Sequence, residues 1–440
     1  MSSVDVSASP LNPVADAGSV AGQRGSNYPK LALLAGMAGL LVAFIGLFVD
    51  PVRYGQSWLL GYTFWFAILI GCLFLVMLSY IFDAGWSTIV RRQWEHVIAG
   101  FPWMFLLILP VAIVPLAMAV FGDSAPLWNW MVKDHVLLGE HPMPVGADVL
   151  FQRKEPYLNN LFFFVRLIGY FGVFSVLAFL FRYFSMENDQ FPWKGNYSGA
   201  RKTAAVGVIA TALCMTFAAF DLYMSLSFHW FSTMYGVWFF AGAMRVGLAF
   251  TVVVCFVLGT KGALRGIITE AHYYYLGCMK LAFTVFWAYI AFCQYYLIYN
   301  ANIPEETFWY NLRMLSKDGS LNSWWWVGLT LIFGYFLLPF LALLWHRTKV
   351  DAKRLLAVSV WILVFSLFDY YYNILPRERG VEGGPEGAYV VQEFLPSVFD
   401  LAALVGVGGI VLWAMLRSMQ RHQPIPLRDP RIRESLNASL

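Results

Sequence analysis

The sequence predicts an all-α polytopic membrane protein with ten transmembrane helices, and three observations carry that expectation. Ten apolar stretches each reach the roughly 20 residues that a helix needs to cross a hydrocarbon core of about 30 Å. Hydrophobic residues make up 59% of the chain, aromatics 18% and charged residues only 13%, a balance foreign to an ordinary soluble surface. Lys and Arg concentrate in alternate gaps between the stretches, the pattern that orients a membrane protein.

Residues 1–29 are rich in Ser, Ala, Gly and Pro without an apolar run, so they predict a disordered tail rather than a signal peptide. The crossings follow at Leu31 to Val49, Ser57 to Phe82, Val97 to Phe121, Leu158 to Phe184 and Ala204 to Met224. They continue at Trp230 to Gly259, Leu276 to Tyr299, Ser323 to Trp345, Leu355 to Leu375 and Phe394 to Leu416. The first is expected to be an uncleaved anchor, the membrane domain to run over 30–421, and residues 422–440 to form a second tail. With the N-terminus inside, the inner segments hold 19 basic residues and the outer ones 8. The positive-inside rule then places both termini in the cytoplasm. Arg91 and Arg92 count as inner-loop residues in that tally. Two outer loops are long, Gly122 to Tyr157 and Pro376 to Glu393, the latter acidic through Glu378, Glu382, Glu386 and Glu393. They are candidate docking surfaces, against the plainer reading of solvated loops.

The net charge of +4 is small and dispersed, which argues against nucleic acid as a partner. Cys72, Cys214, Cys255, Cys278 and Cys293 fall inside crossings with no C-x-x-C spacing, so iron–sulfur ligation and covalent haem attachment are not expected. A b-type haem needs facing histidines, whereas His229 and His272, those nearest the crossings, fall at opposite membrane faces. The expectation is a chain with no metal and no redox cofactor of its own. The Gly406 to Gly409 run superficially resembles a phosphate loop, but it lies within a crossing and reads as a close helix contact. Asn196-Tyr197-Ser198 matches a glycosylation sequon on an inner loop and receives no role.

Ionisable residues within the membrane carry the functional signal, because each costs about 2.5 to 3.5 kcal/mol at a helix centre. Arg166, Arg245 and Lys280 lie within crossings, Asp369 lies in the outer half of the ninth, and Asp221 and Asp400 lie at crossing ends. Glu270 and His272 stand at the inner end of the seventh, and His229 just outside the fifth. With the hydroxyls of Tyr62, Tyr170, Tyr223, Tyr289 and Tyr372, these groups are candidates for a proton path. The alternative is structural ion pairing, for example of Arg166 with Asp221 or Asp369.

Several stretches are similar to one family. They are DLYMSLSFHWFSTMYGVWFFAGAM (Asp221 to Met244) and TEAHYYYLGCMKLAFTVFWAYIAFCQYYLIYNANIPEETFWY (Thr269 to Tyr310), with AGWSTIVRRQWE (Ala84 to Glu95), KEPYLNNLFFFVR (Lys154 to Arg166) and RDPRIRESL (Arg428 to Leu436). The chain resembles the ActF branch of the NrfD/PsrC-like membrane subunits of bacterial alternative complex III, a respiratory quinol:cytochrome c oxidoreductase. The resemblance implies two four-helix bundles, at about 56–226 and 229–376, flanked by the first and last helices. It implies the bacterial inner membrane and, as partners, the sister subunit ActC, an iron–sulfur subunit, c-type cytochromes, small membrane subunits, lipid and a cytochrome oxidase in a supercomplex. Haem c and iron–sulfur clusters would then sit in those partners, and the quinone or quinol site mainly in ActC. Proton translocation in the family maps onto Asp221, His229, Arg245, His272 and Asp369. The chain departs from the pattern at Tyr275 and Cys278, where the family carries Asp and Lys, and at Ser227-Phe228, where it carries an acidic residue and Pro. Phe228-His229-Trp230 matches the ActF pattern rather than the Pro-Gly-Trp turn of ActC.

Two other functions compete. A secondary transporter would also use ten helices and buried charges, yet it typically breaks corresponding helices at its binding site. Pro110 and Pro115 in the third crossing are the only close pair of prolines within crossings and Pro339 in the eighth is isolated, so no matched pair of broken helices is evident. A purely structural scaffold would keep the same charges as packing devices.

Overall fold

The computed structural model describes residues 26–120, 127–137, 142–190, 196–380 and 389–440. The expected tail up to residue 25, and Glu382 and Glu386 of the outer loop, lie outside them. Helix makes up 79% of the structure, and ten helices are long and apolar enough to cross a membrane. The chain is therefore an all-α, multi-pass integral membrane protein.

We number the crossings α1 Tyr28–Val49, α2 Pro51–Ile81, α3 Gly85–Ile113, α4 Asn160–Gln190 and α5 Asn196–Leu222. The second half comprises α6 Tyr235–Lys261, α7 Glu270–Ala301, α8 Ser323–Leu344, α9 Ala352–Ile374 and α10 Val398–Arg421. Local chemistry sets several ends. Asp50 accepts from the Arg53 N–H, with Pro51 at the first turn of α2. Asn302 closes α7 in the left-handed conformation that Asn tolerates. Ser397 and Asp400 form a capping box on α10.

Neighbouring helices close two rings: α2–α3–α4–α5 and α6–α7–α8–α9. The rings meet along α2 and α6, where Gly71 and Gly247 lie back to back. A Cβ on Gly71 would stand 2.2 Å from the Ala243 carbonyl oxygen, so only glycine permits that approach. The flanking helices α1 and α10 pair through Gly36 and Gly39 against Gly406 and Gly409, and α10 also packs on α2. The glycine run at 406–409 is thus the helix contact that its composition suggested. Ser26 accepts from the Gln420 amide at 2.9 Å, so α1 starts and α10 ends on one face. We call it the terminal face, and the opposite one the loop face.

Two departures from expectation concern charged segments. The third crossing begins at Gly85 rather than Val97, because Thr88–Val97 is helical and entirely buried despite its charges. Those charges pair within the protein, and residues 425–436 fold over them instead of hanging as a tail: Ile425 and Ile432 pack with Ile89, Leu264 and Ile267. Arg91 and Arg92 are accordingly core residues, not loop residues.

Candidate functional site

The two bundles treat their carboxyls differently. Asp221, one residue from the end of α5, receives Arg166 from α4 through two parallel bonds of 2.8 and 3.0 Å and the Tyr170 hydroxyl at 2.9 Å. The Arg166 guanidinium also donates to the Tyr157 carbonyl and lies 3.8 Å from that ring. This bidentate, fully partnered pair is a geometric lock. Arg166 does not meet Asp369. Asp400 is locked too: Arg53, Ser57 at 2.6 Å, Tyr371 at 2.7 Å and the Ser397 N–H at 2.7 Å all donate to it.

Asp369 occupies the matching place near the loop end of α9 and is 2% exposed, yet its partners are neutral. Trp287 Nε1 donates to one oxygen at 3.1 Å and Asn373 Nδ2 reaches the other at 3.3 Å. Among the described residues no cation lies within ion-pair distance of it; the charge that acts on it is that of Arg245.

The position of Arg245 follows from a proline. Pro339 has no N–H to give the Tyr335 carbonyl four residues earlier, and α8 passes through a π-helical segment, Leu331–Leu337, just before it. The Leu338 N–H bonds back to Phe333, so the Gly334 and Tyr335 carbonyls both lose their usual helical donors. Side chains replace them. Trp361 Nε1 donates to Gly334 at 2.8 Å, and Arg245 Nη2 donates to Tyr335 at 2.6 Å. The guanidinium also lies 3.9 Å from the centre of the Tyr335 ring. Its Nε and Nη1, with the hydroxyls of Tyr335, Tyr370 and Thr284, are buried without a protein partner. Toward the terminal face, Lys280 donates to Ser359, whose hydroxyl donates to the Leu355 carbonyl. Lys280 lies ten residues into α7, about 15 Å along its axis.

On the loop side the series continues through Asn373 to Arg313. Tyr235 donates to Asn373 at 3.4 Å, and Arg313 donates to the carbonyls of Trp309, Tyr372 and Asn373. Burial pulls the Arg313 guanidinium down to about 10, partly offset by the neighbouring Tyr372, Tyr235 and Tyr310 rings. The second bundle thus brings Lys280, Arg245, Asp369, Asn373 and Arg313 into one buried polar series. Between α7, α8, α9 and the short helix Pro304–Asn311 lies a cavity of about 550 Å³ that Asp369, Asn373 and Arg313 help to line.

The remaining sequence candidates lie outside that series. His229 sits in the loop after α5, where its Nε2 meets Asp148 at 2.8 Å. Burial raises Asp148, but the His229 bond and the Phe151 N–H outweigh it and hold the carboxyl below its usual range. His272 is a cap: its Nδ1 accepts from the Thr269 N–H at 3.1 Å and its Nε2 meets Ser435 at 3.1 Å. Tyr289 is 60% exposed on the outer surface of α7 and lies outside the buried series.

Sequence reasoning missed a third cluster, at the terminal face. Glu95 bonds Arg91 at 3.2 Å, Ser185 at 2.6 Å and Arg92 at 3.5 Å; Arg91 also pairs with Asp429, and Arg92 with Asp189 at 2.6 Å. The available signal was the spacing of Arg91 and Arg92 to Glu95, four and three residues apart on one helix face. Among the described residues, no three His, Cys, Asp or Glu side chains gather as a metal site.

No model of a known protein family matches the chain, and no curated protein matches it significantly.

Proposed function

We propose that the chain is a membrane subunit of a quinol:cytochrome c oxidoreductase of the alternative complex III type, and that its second bundle carries protons coupled to quinol oxidation elsewhere in the complex. The observation that carries the reading is the buried series Lys280, Arg245, Asp369, Asn373 and Arg313. It spans much of one bundle, and its central carboxyl is not locked to a cation. Its unpartnered Arg245 nitrogens and tyrosine hydroxyls offer sites to water, through which protons can hop. The motif resemblance supports the choice of complex, with ActC, an iron–sulfur protein and c-type cytochromes as partners in a bacterial inner membrane. The π segment of α8 has no counterpart in α4, which is α-helical throughout, and this asymmetry disfavours the repeat-based transporter reading. In the first bundle, the Arg166–Asp221 lock favours a structural role.

The test is purification from native membranes in mild detergent, followed by reconstitution into proteoliposomes. Haem c and iron–sulfur proteins are expected to accompany the chain. Asp369→Asn is expected to leave assembly and electron transfer intact while lowering the protons moved per electron. Purification without redox partners refutes the complex, and an unchanged proton ratio in Asp369→Asn refutes the path.

A further inference from the structure

We propose that a cavity at the terminal face of the second bundle binds the head of a phospholipid that carries both a phosphate and a primary ammonium group, the phosphatidylethanolamine type. The cavity measures about 470 Å³ and lies where the start of α7 meets the connection from α8 to α9. Arg347, Arg354, Asp351 and Glu270 supply its charges. Two of these are already engaged. Asp351 caps α9 through one oxygen, which accepts from the N–H groups of Lys353 and Arg354, and its other oxygen meets Arg354 Nε at 3.4 Å. Arg347 and Glu270 remain. Among the described residues neither side chain has a hydrogen-bond or ion-pair partner, and they do not pair with each other although both line the same cavity. A guanidinium and a carboxylate held apart across one space suit a ligand whose anionic and cationic groups lie a few bonds apart.

The surroundings place that ligand in the membrane. The last turns of α8 run up to the cavity and leave Leu341 and Leu344 each 49% exposed, followed by Trp345 at 71%. On a membrane-crossing helix such a surface faces lipid, and an exposed tryptophan at the end of a crossing belongs at the level of the head groups. Acyl chains can lie along that surface while the phosphate reaches Arg347, as basic pockets between crossings hold phospholipid heads. Glu270 then selects among heads. A glycerol head sets only hydroxyls beside the carboxylate, with no positive charge. A choline head brings the charge without an N–H to donate. The ethanolamine ammonium supplies both charge and donors.

Proton transport plays no part in this site, and its test needs no redox partner. The full chain in detergent is titrated with phosphatidylethanolamine, phosphatidylglycerol and phosphatidylcholine of identical acyl chains, and bound lipid is read by native mass spectrometry. Phosphatidylethanolamine is expected to bind about fivefold more tightly than either of the others, the effect of one additional charge contact near a membrane surface. Arg347→Ala is expected to weaken all three by about fivefold, whereas Glu270→Gln weakens phosphatidylethanolamine alone and brings it to the level of phosphatidylglycerol. Both side chains are exposed and unpartnered, so an unchanged elution profile is expected of each variant. A photoreactive phosphatidylethanolamine is expected to label residues 268–273 and 346–354. Equal binding of the three lipids, or a preference that survives Glu270→Gln, overturns the head-group class. Labelling confined to other segments overturns the site. Displacement of the lipid by an equal concentration of glycerophosphoethanolamine, the same head without acyl chains, overturns the membrane source.

Discussion

Asp221 and Asp369 differ in what surrounds them rather than in what they are. Each stands near the loop end of the last helix of its bundle, and each is buried. Asp221 is fixed by a guanidinium that reaches it from both ends of its fork. Removing that charge strands Arg166, so Asp221→Asn is expected to destabilise the detergent-solubilised protein by about 3 kcal/mol, the low end for a buried pair because Arg166 sits near the loop face. Thermal unfolding measures it, and stability equal to wild type refutes the lock. Asp369 holds only neutral donors, so the same change there removes a titratable group without stranding a paired cation.

At the scale of the element, α8 shows how one residue propagates. Pro339 frees the Tyr335 carbonyl, and Arg245 takes it up across the bundle. Arg245→Met removes the side-chain donor from that buried carbonyl and is expected to cost about 1 to 3 kcal/mol. In a Pro339→Ala background the restored N–H can serve Tyr335, so the cost of Arg245→Met is expected to shrink. A double-mutant cycle on thermal stability reads that coupling, and strict additivity disproves the connection. The C-terminal segment supplies a second case. Burial, with Arg182, Arg92 and Arg421 nearby, pushes His422 down to about 4 from 6.5, so the docked state favours neutral imidazole. The unfolded form binds more protons between those values, and docking stability is therefore complete above 6.5 and falls as pH drops toward 4. Hydrogen-exchange protection factors over residues 423–440, corrected for the intrinsic pH dependence of amide exchange, are expected to be lower at pH 5 than at pH 7.5. His422→Gln is expected to flatten that dependence, and an unchanged pH dependence in the variant would discard His422 as the source.

For the whole molecule, the two four-helix rings meet where α2 and α6, which run in the same direction, pack on each other through glycines. The basic-residue bias predicts a cytoplasmic terminal face. Reporter fusions at the C-terminus and within the 122–157 loop are expected to report opposite sides, and a common side for both overturns that orientation. The polar series of the second bundle runs from Lys280, well inside α7, to Arg313 at the loop face.

The number of crossings and the all-α class were legible in the sequence, because hydrocarbon thickness imposes length and apolarity on each segment by itself. So were the membrane-embedded ionisable residues, whose cost makes them conspicuous wherever they fall. Their partners were not. Asp221 and Asp369 look alike in a sequence, and only the packing of α4 on α5 brings Arg166 to the first and leaves the second to Trp287 and Asn373. Arg91, Arg92 and Glu95 read as a polar loop because their other partners, Asp189 and Asp429, lie 97 and 338 residues away in the chain. Tyr289 read as a relay because its hydroxyl was visible and its direction was not. Segment hydropathy is local and depends on composition, whereas the fate of a buried charge depends on which distant side chain the fold carries to it.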